Sequence, residues 1–283
     1  MELRVSGRFA LEAAGRFLSG WPPATHRGMS ADGALRLAFV TDDLAGTRGV
    51  TLRPRAPDTL DATFTSSSTP ELIAQVRRLL SLDLDGNAFE ALGQTDKALG
   101  ALQSRSPGAR PVLFPNPYEA TVWAVLSARV PAARGAVLRR ALMAEHGRSI
   151  DVGGDRMTVL PTPDRLLEVE ELPGTPAEKI RRLHGVAQAA LDGVLDASTL
   201  AKLPPQDALA QLKSIRGIGD FYAMLILVRA LGVDFLPVGE PRLLAAAGGL
   251  LGRNEPLSET EFEQLAADWQ PFRAWAAFLL RTT

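Results

Sequence analysis

The chain has 283 residues, 46% of them hydrophobic and 22% charged, with a formal net charge of −1. Such a chain is long enough for one large domain or two smaller ones with real cores, and its composition is that of a soluble globular protein. It contains no cysteine, which excludes disulfides, thiolate zinc sites, iron–sulfur clusters and a cysteine nucleophile. No apolar run approaches the ~20 residues of a membrane helix, and Arg8, Glu12 and Arg16 interrupt any signal-like layout near the N-terminus, so cytoplasmic residence is expected. His26, His146 and His184 lie too far apart to form a metal-ligand spacing. The near-neutral charge carries no general basic footprint for nucleic acid. Locally the balance differs, because residues 128–143 hold Arg129, Arg134, Arg139 and Arg140 with no acid.

In chain order, Arg8 to Leu18 places apolar residues at helical spacing. Strands are predicted at Gly33 to Val40, Val50 to Pro54 and Thr59 to Thr65, from their β-branched and alternating residues. Ser66-Ser67-Ser68-Thr69-Pro70 is punctuation, with Thr69 a candidate cap and Pro70 a good first helical residue. Helices follow. Leu72, Ile73, Val76, Leu79 and Leu80 repeat at helical spacing; Asp83 to Asn87 is a solvated turn before a helix. Tyr118 to Leu126 is a short apolar helix, and Gly135 to His146 an amphipathic one. Thr162-Pro163 and Thr175-Pro176 mark helix starts, the second as a Thr175–Glu178 capping box whose helix buries Ile180, Leu183, Ala187 and Leu191. Gly248 to Gly252 lacks the strand and acid of a dinucleotide fingerprint and is a helix end. The expected fold is α+β, with a small N-terminal mixed α/β domain over residues 1–68 and an all-α domain over 69–283.

The most informative stretch is Ala208 to Leu225. Leu209, Leu212 and Ile215 mark one helix ending at Gly217-Ile218-Gly219, and a second begins near Asp220 and buries Ala223, Leu225, Ile226, Val228 and Ala230. Gly217 and Gly219 allow a sharp turn and close approach, and Ile218 can plug the groove between the helices. The turn's amides and the second helix's N-terminus would favour a phosphate, a contact without sequence information. A plain αα-turn is the alternative. Asp220 is expected to cap its own helix.

Over most of its length the chain resembles the helix-hairpin-helix DNA glycosylases, and within them the DNA-3-methyladenine glycosylase II branch. Three stretches carry the resemblance: Leu212 to Ala223, Val233-Asp234-Phe235-Leu236-Pro237-Val238-Gly239-Glu240, and Trp269-Gln270-Pro271-Phe272-Arg273-Ala274-Trp275-Ala276. Pro117 to Arg140 is similar to the helix pair that bears the family's DNA-wedge loop. The resemblance implies a monofunctional base-excision glycosylase for alkylated or otherwise modified bases, acting as a monomer on double-stranded damaged DNA without a cofactor or membrane. The alternative is a catalytically silent damage-binding protein on the same scaffold.

The resemblance also assigns roles. Glu240 falls where the family has its catalytic aspartate, and would stabilise positive charge on the sugar and orient water. The other reading of Glu240 is a first-turn acid favourable to a helix dipole. Asp234 matches a structural aspartate. Phe221 stands where strand-cleaving members carry a lysine, so no Schiff base is expected. Phe221 and Tyr222 either line the base pocket or pack in the core. At the wedge stand Ala128 and Arg129, and Arg129 would enter the duplex or touch phosphate. Arg281 takes the place of a pocket tryptophan, where it disfavours a cationic base unless it pairs with Glu240. Gly217, Ile218 and Gly219, with Arg216, would hold the DNA backbone, and a monovalent cation could sit on the hairpin carbonyls.

Overall fold

The computed structural model describes residues 1–24 and 28–282, so His26 lies outside the described residues. The chain begins with β1 (Glu2–Arg4), α1 (Leu11–Gly20), β2 (Leu35–Val40), β3 (Thr47–Ala56) and β4 (Thr59–Phe64). The strands form an antiparallel sheet in the order β1-β4-β3-β2. The helix predicted from Arg8 starts later, at Leu11, and Phe9 packs into the sheet's core from the segment before it. Next come α2 (Pro70–Leu79), α3 (Gly86–Thr95), α4 (Lys97–Arg105), α5 (Pro117–Ser127) and α6 (Ala132–His146). Thr69 caps α2 by accepting from the Leu72 amide at 3.3 Å, and Asp85 caps α3. Leu72, Val76 and Leu79 of α2 lie in the same core as the sheet.

A hairpin then intervenes that the sequence reading did not anticipate, β5 (Arg148–Val152) and β6 (Asp155–Val159), turning on Gly153 and Gly154 with φ of +58° and +91°. Positive φ at both central residues is the turn geometry that matches strand twist. The hairpin packs on the sheet through Ala38, Val152 and Val159. Hence every residue of edge strand β2 is buried, and Leu-Arg-Leu-Ala-Phe-Val shows no strict alternation. Arg36, the one charge in it, pairs with Asp32 at 2.7 Å and donates to the Gly153 carbonyl.

The rest is helical: α7 (Pro163–Leu167), α8 (Ala177–Leu191), α9 (Ala197–Leu200), α10 (Pro205–Lys213), α11 (Asp220–Leu231), α12 (Pro241–Leu250), α13 (Glu259–Leu265) and α14 (Arg273–Thr282). The architecture is α+β. Helix α5 is buried on all sides and is the axle of one helical core, packed by α6, α8 and α11. Its start is fastened to the sheet. Asn116 donates to the Val40 carbonyl at 2.8 Å, Glu119 accepts from the Val40 amide at 3.1 Å, and Arg139 of α6 pairs with Glu119 at 2.7 Å, both side chains 5% exposed or less. A separate core gathers Phe89, Leu243, Phe262, Trp269, Trp275 and Phe278 around α12 and α14.

Two local expectations are corrected. Thr175 and Glu178 do not form a capping box: α8 is preceded by Pro176 at the cap position, and the Thr175 hydroxyl is buried without a partner. Glu178 is drawn instead to the guanidinium groups of Arg181 and Arg182 at 2.8 and 3.2 Å, stronger partners than a backbone amide. Leu191, expected on the buried face of α8, is 51% exposed at its last turn.

Candidate functional site

The hairpin between α10 and α11 closes with the Ile218 amide donating to the Ile215 carbonyl at 3.0 Å. Gly217 has φ +97°, where a side chain is strained, and a Cβ there would also meet the Arg182 side chain at 3.1 Å. Gly219 differs: it is extended, at φ −96°, with open space around its missing Cβ. Ile218 is buried among Leu212, Ile215, Ala223 and Ile226, so its side chain fixes the helix pair. Gly219 is the residue before α11 and offers no side-chain cap, which leaves first-turn amides for an outside acceptor. The expected capping by Asp220 is corrected. Asp220 is the first helical residue and pairs with Lys213 across the hairpin at 2.8 Å. That hydrogen bond holds its carboxyl below the ordinary aspartate value. Leu225 and Val228, expected in the core, are only partly buried.

The turn between α5 and α6 presents Arg129, exposed and left-handed at φ +59°. It is braced from below. Lys179 of α8 donates to the carbonyls of Leu126 at 2.8 Å and Ala128 at 3.2 Å, and the Val130 amide donates to Ser127. Next to Lys179, Glu178 reaches Arg216 of the hairpin at 3.4 Å. The first turn of α8 therefore touches both the hairpin and the Arg129 turn. Of the four arginines in the acid-free run, Arg139 is buried on Glu119, while Arg129, Arg134 and Arg140 are exposed.

Glu240 occupies the position before α12, its carbonyl accepting from the Leu243 and Leu244 amides. Its carboxylate makes no cap; Oε1 lies 2.9 Å from Arg281 Nη1, with both side chains about one-third exposed. Asp234, in the same loop, is fully committed elsewhere. Its Oδ1 accepts from the Ala274 amide at 2.8 Å and its Oδ2 from Arg273 at 3.1 Å, fastening the loop to the start of α14. The loop thus carries one anchored carboxylate and one paired with Arg281.

Behind Glu240 and Arg281 stands Arg229 of α11, which the sequence reading passed over. Its guanidinium lies 4.6 Å from the Trp21 ring centre, 5.4 Å from Phe17 and 5.8 Å from Phe278, and donates to the Val112 carbonyl at 2.7 Å. Burial pushes its pKa down to about 10, the Arg281 charge pushes the same way, and Glu240 opposes. The available signal was a single basic residue in an otherwise apolar helix half, Met224-Leu225-Ile226-Leu227-Val228-Arg229-Ala230-Leu231.

Phe221 and Tyr222 sit at the opposite end of α11 from Arg229, about 12 Å away along the axis. Phe221 is 66% exposed and meets Tyr222 edge-on at 5.2 Å between centroids; the Tyr222 hydroxyl is 3.3 Å from Ser127. Among the described residues neither bonds to Glu240. The expected residues therefore fall into two groups: Glu240 with Arg281, and Phe221, Tyr222, Gly217–Gly219, Arg216 and Arg129 around the hairpin and the α5–α6 turn. Two surface cavities of about 400 Å³ each, one walled by Arg8, Phe89 and Trp275 and the other by Arg78, Asp234 and Phe278, do not include Glu240.

No family model matches the chain. The chain is 24% identical over 220 residues to the DNA-3-methyladenine glycosylase of Bacillus subtilis, covering 74% of this chain and 71% of that one. It is 32% identical over 218 residues to a Mycobacterium tuberculosis protein described as "Probable bifunctional transcriptional activator/DNA repair enzyme AlkA", spanning 74% of this chain but 42% of that longer protein. In fold it is similar to the 3-methyladenine DNA-glycosylase of Archaeoglobus fulgidus, with a TM-score of 0.80 at 20% identity over 99% of this chain and 96% of that one.

Proposed function

We propose that the chain is a helix-hairpin-helix DNA glycosylase, a monofunctional base-excision enzyme that hydrolyses the N-glycosidic bond of alkylated or otherwise modified bases. The observation that carries this reading is Glu240: a partly exposed carboxylate, anchored through its loop by Asp234 and, among the described residues, paired only with Arg281. A carboxylate so placed stabilises the oxocarbenium character that develops on the sugar as the base departs, and orients the water that replaces it. Phe221 supplies no amine, so the reaction stops at base hydrolysis.

The DNA-facing roles follow from the second group of residues. The amides around Gly217 and Gly219 take a backbone phosphate, which fixes register without reading sequence. Exposed Arg129, presented by a braced left-handed turn, enters the stack where the damaged nucleotide is extruded. Phe221 and Tyr222 stack on the extruded base or its neighbours, and Arg216 adds to the positive field. The partner is damaged duplex DNA, bound by a single copy of the chain.

The test is base release from alkylated duplex DNA, quantified by mass spectrometry, for the wild type and Glu240→Gln. The variant should lose roughly 10²-fold or more in release rate while keeping duplex affinity. Release that survives the substitution would remove Glu240 from the chemistry.

A further inference from the structure

Whatever base leaves the sugar beside Glu240 must do so within reach of Arg281, whose Nη1 is 2.9 Å from the carboxylate. Arg229 lies close enough to influence both charges. The Glu240 carboxylate is thus matched by the Arg281 guanidinium in direct contact, with the Arg229 guanidinium near enough to feel both. Trp21, Phe17 and Phe278 already surround the chain's own Arg229. Phe278 and Arg281 are three residues apart on α14, hence on one face of the helix.

We propose that Arg281, seated on Glu240 beside the Arg229 aromatic cage, makes this a glycosylase for neutral damaged bases with a carbonyl edge, such as deaminated or oxidised purines, in preference to cationic N-alkylated purines. This rests on the glycosylase reading above and names its substrate class. Bond cleavage is heterolytic: the C1′–N bond breaks with its electron pair passing to the base, water oxygen bonds to C1′, and the proton that water loses ends on the departing base when that base was neutral, or in solvent when it was a cation. A cationic base is neutralised by that electron pair and gains nothing from a nearby guanidinium. A neutral base becomes anionic as it departs, and Arg281 stabilises the developing charge where Glu240 stabilises the sugar. In the ground state the same guanidinium donates to the carbonyl of a neutral base and repels a cationic one.

The test uses the full-length protein and duplexes that each carry one hypoxanthine, one 8-oxoguanine or one 7-methylguanine. Single-turnover release is measured above the enzyme-free background for wild type, Arg281→Gln and Arg281→Lys. At least one neutral base should be released tenfold or more faster than 7-methylguanine by the wild type. Arg281→Gln should shrink that ratio at least tenfold by slowing neutral release alone, and Arg281→Lys should restore part of it. Faster release of 7-methylguanine by the wild type, or a ratio that Arg281→Gln does not move, overturns the specificity while leaving the glycosylase reading standing. No release of any base by wild type or variants overturns that reading, and the proposal falls with it.

Discussion

At the scale of single residues, chemistry here depends on which carboxylates are already spoken for. Asp234 is spent on Arg273 and the Ala274 amide, Asp220 on Lys213, and Glu119 on Arg139 and Val40. Glu240 alone of these is paired only with a partly exposed guanidinium. The same competition decides capping. Ser258 and Glu261 form the capping box that Thr175 and Glu178 do not: the Ser258 hydroxyl accepts from the Glu261 amide while Glu261 accepts from the Ser258 amide at 2.8 Å. Those backbone and hydroxyl donors, with Arg253, hold Glu261 at about 2, below its ordinary 4.5. A depressed carboxyl pKa contributes stability above the unfolded value and loses it as pH falls through the folded one. The stability gap between wild type and Glu261→Gln should therefore be full above pH 4.5 and vanish toward pH 2, as read by urea unfolding across that range. Glu240 and Arg281 could be singled out only through the family resemblance of the segments around them, and the structure adds that the two side chains pair. Arg229 was not legible, because what gives it meaning is a cage assembled from α1, α11 and α14, which no local window contains.

At the scale of elements, the hairpin's two glycines have different reasons. Gly217 is required by its backbone and Gly219 is not. Gly217→Ala should cost about 1–2 kcal/mol in denaturant unfolding and weaken duplex binding. Gly219→Ala should leave stability within about 0.5 kcal/mol of wild type, and weaken binding to undamaged duplex through loss of close backbone approach. Anisotropy titrations beside the unfolding curves separate the two. Equal stability loss in both variants would contradict the assigned geometry. Helices α10 and α11 were legible because apolar spacing and glycine punctuation agree. The β5–β6 hairpin carried its own signal, Ser149-Ile150-Asp151-Val152-Gly153-Gly154-Asp155-Arg156-Met157-Thr158-Val159, with alternation around a Gly-Gly turn. It was masked by lying inside a long helical region, where short strands have no local reason to be sought.

At the scale of the molecule, α+β was legible since strand-like and helix-like periodicities segregate along the chain. How the parts are joined was not, because the joint is made of buried polar groups that look like surface residues in sequence. Glu119 and Arg139 are the clearest case. Removing one partner leaves the other charge buried, so Glu119→Gln should destabilise the fold by about 3–5 kcal/mol in denaturant unfolding. A loss below about 1 kcal/mol would mean that water reaches the pair. Over the surface, near-neutral total charge conceals a local field. Arg129→Ala should lower the slope of log affinity against log salt by about 1 if Arg129 meets a phosphate in the complex.

The brace that Lys179 places under the Arg129 turn bears on the time a repair enzyme spends searching. A protein that scans a long duplex interrogates undamaged pairs far more often than it finds a lesion. A probe loop that had to order itself at each step would lose conformational freedom every time. With Leu126 and Ala128 already tied to Lys179, the turn that presents Arg129 is ordered once, when the chain folds, and the probing role proposed for Arg129 would carry no further ordering cost. Cutting the tie with Lys179→Met should then slow lesion location on long DNA more than it slows base release from a short duplex where the lesion is already at hand.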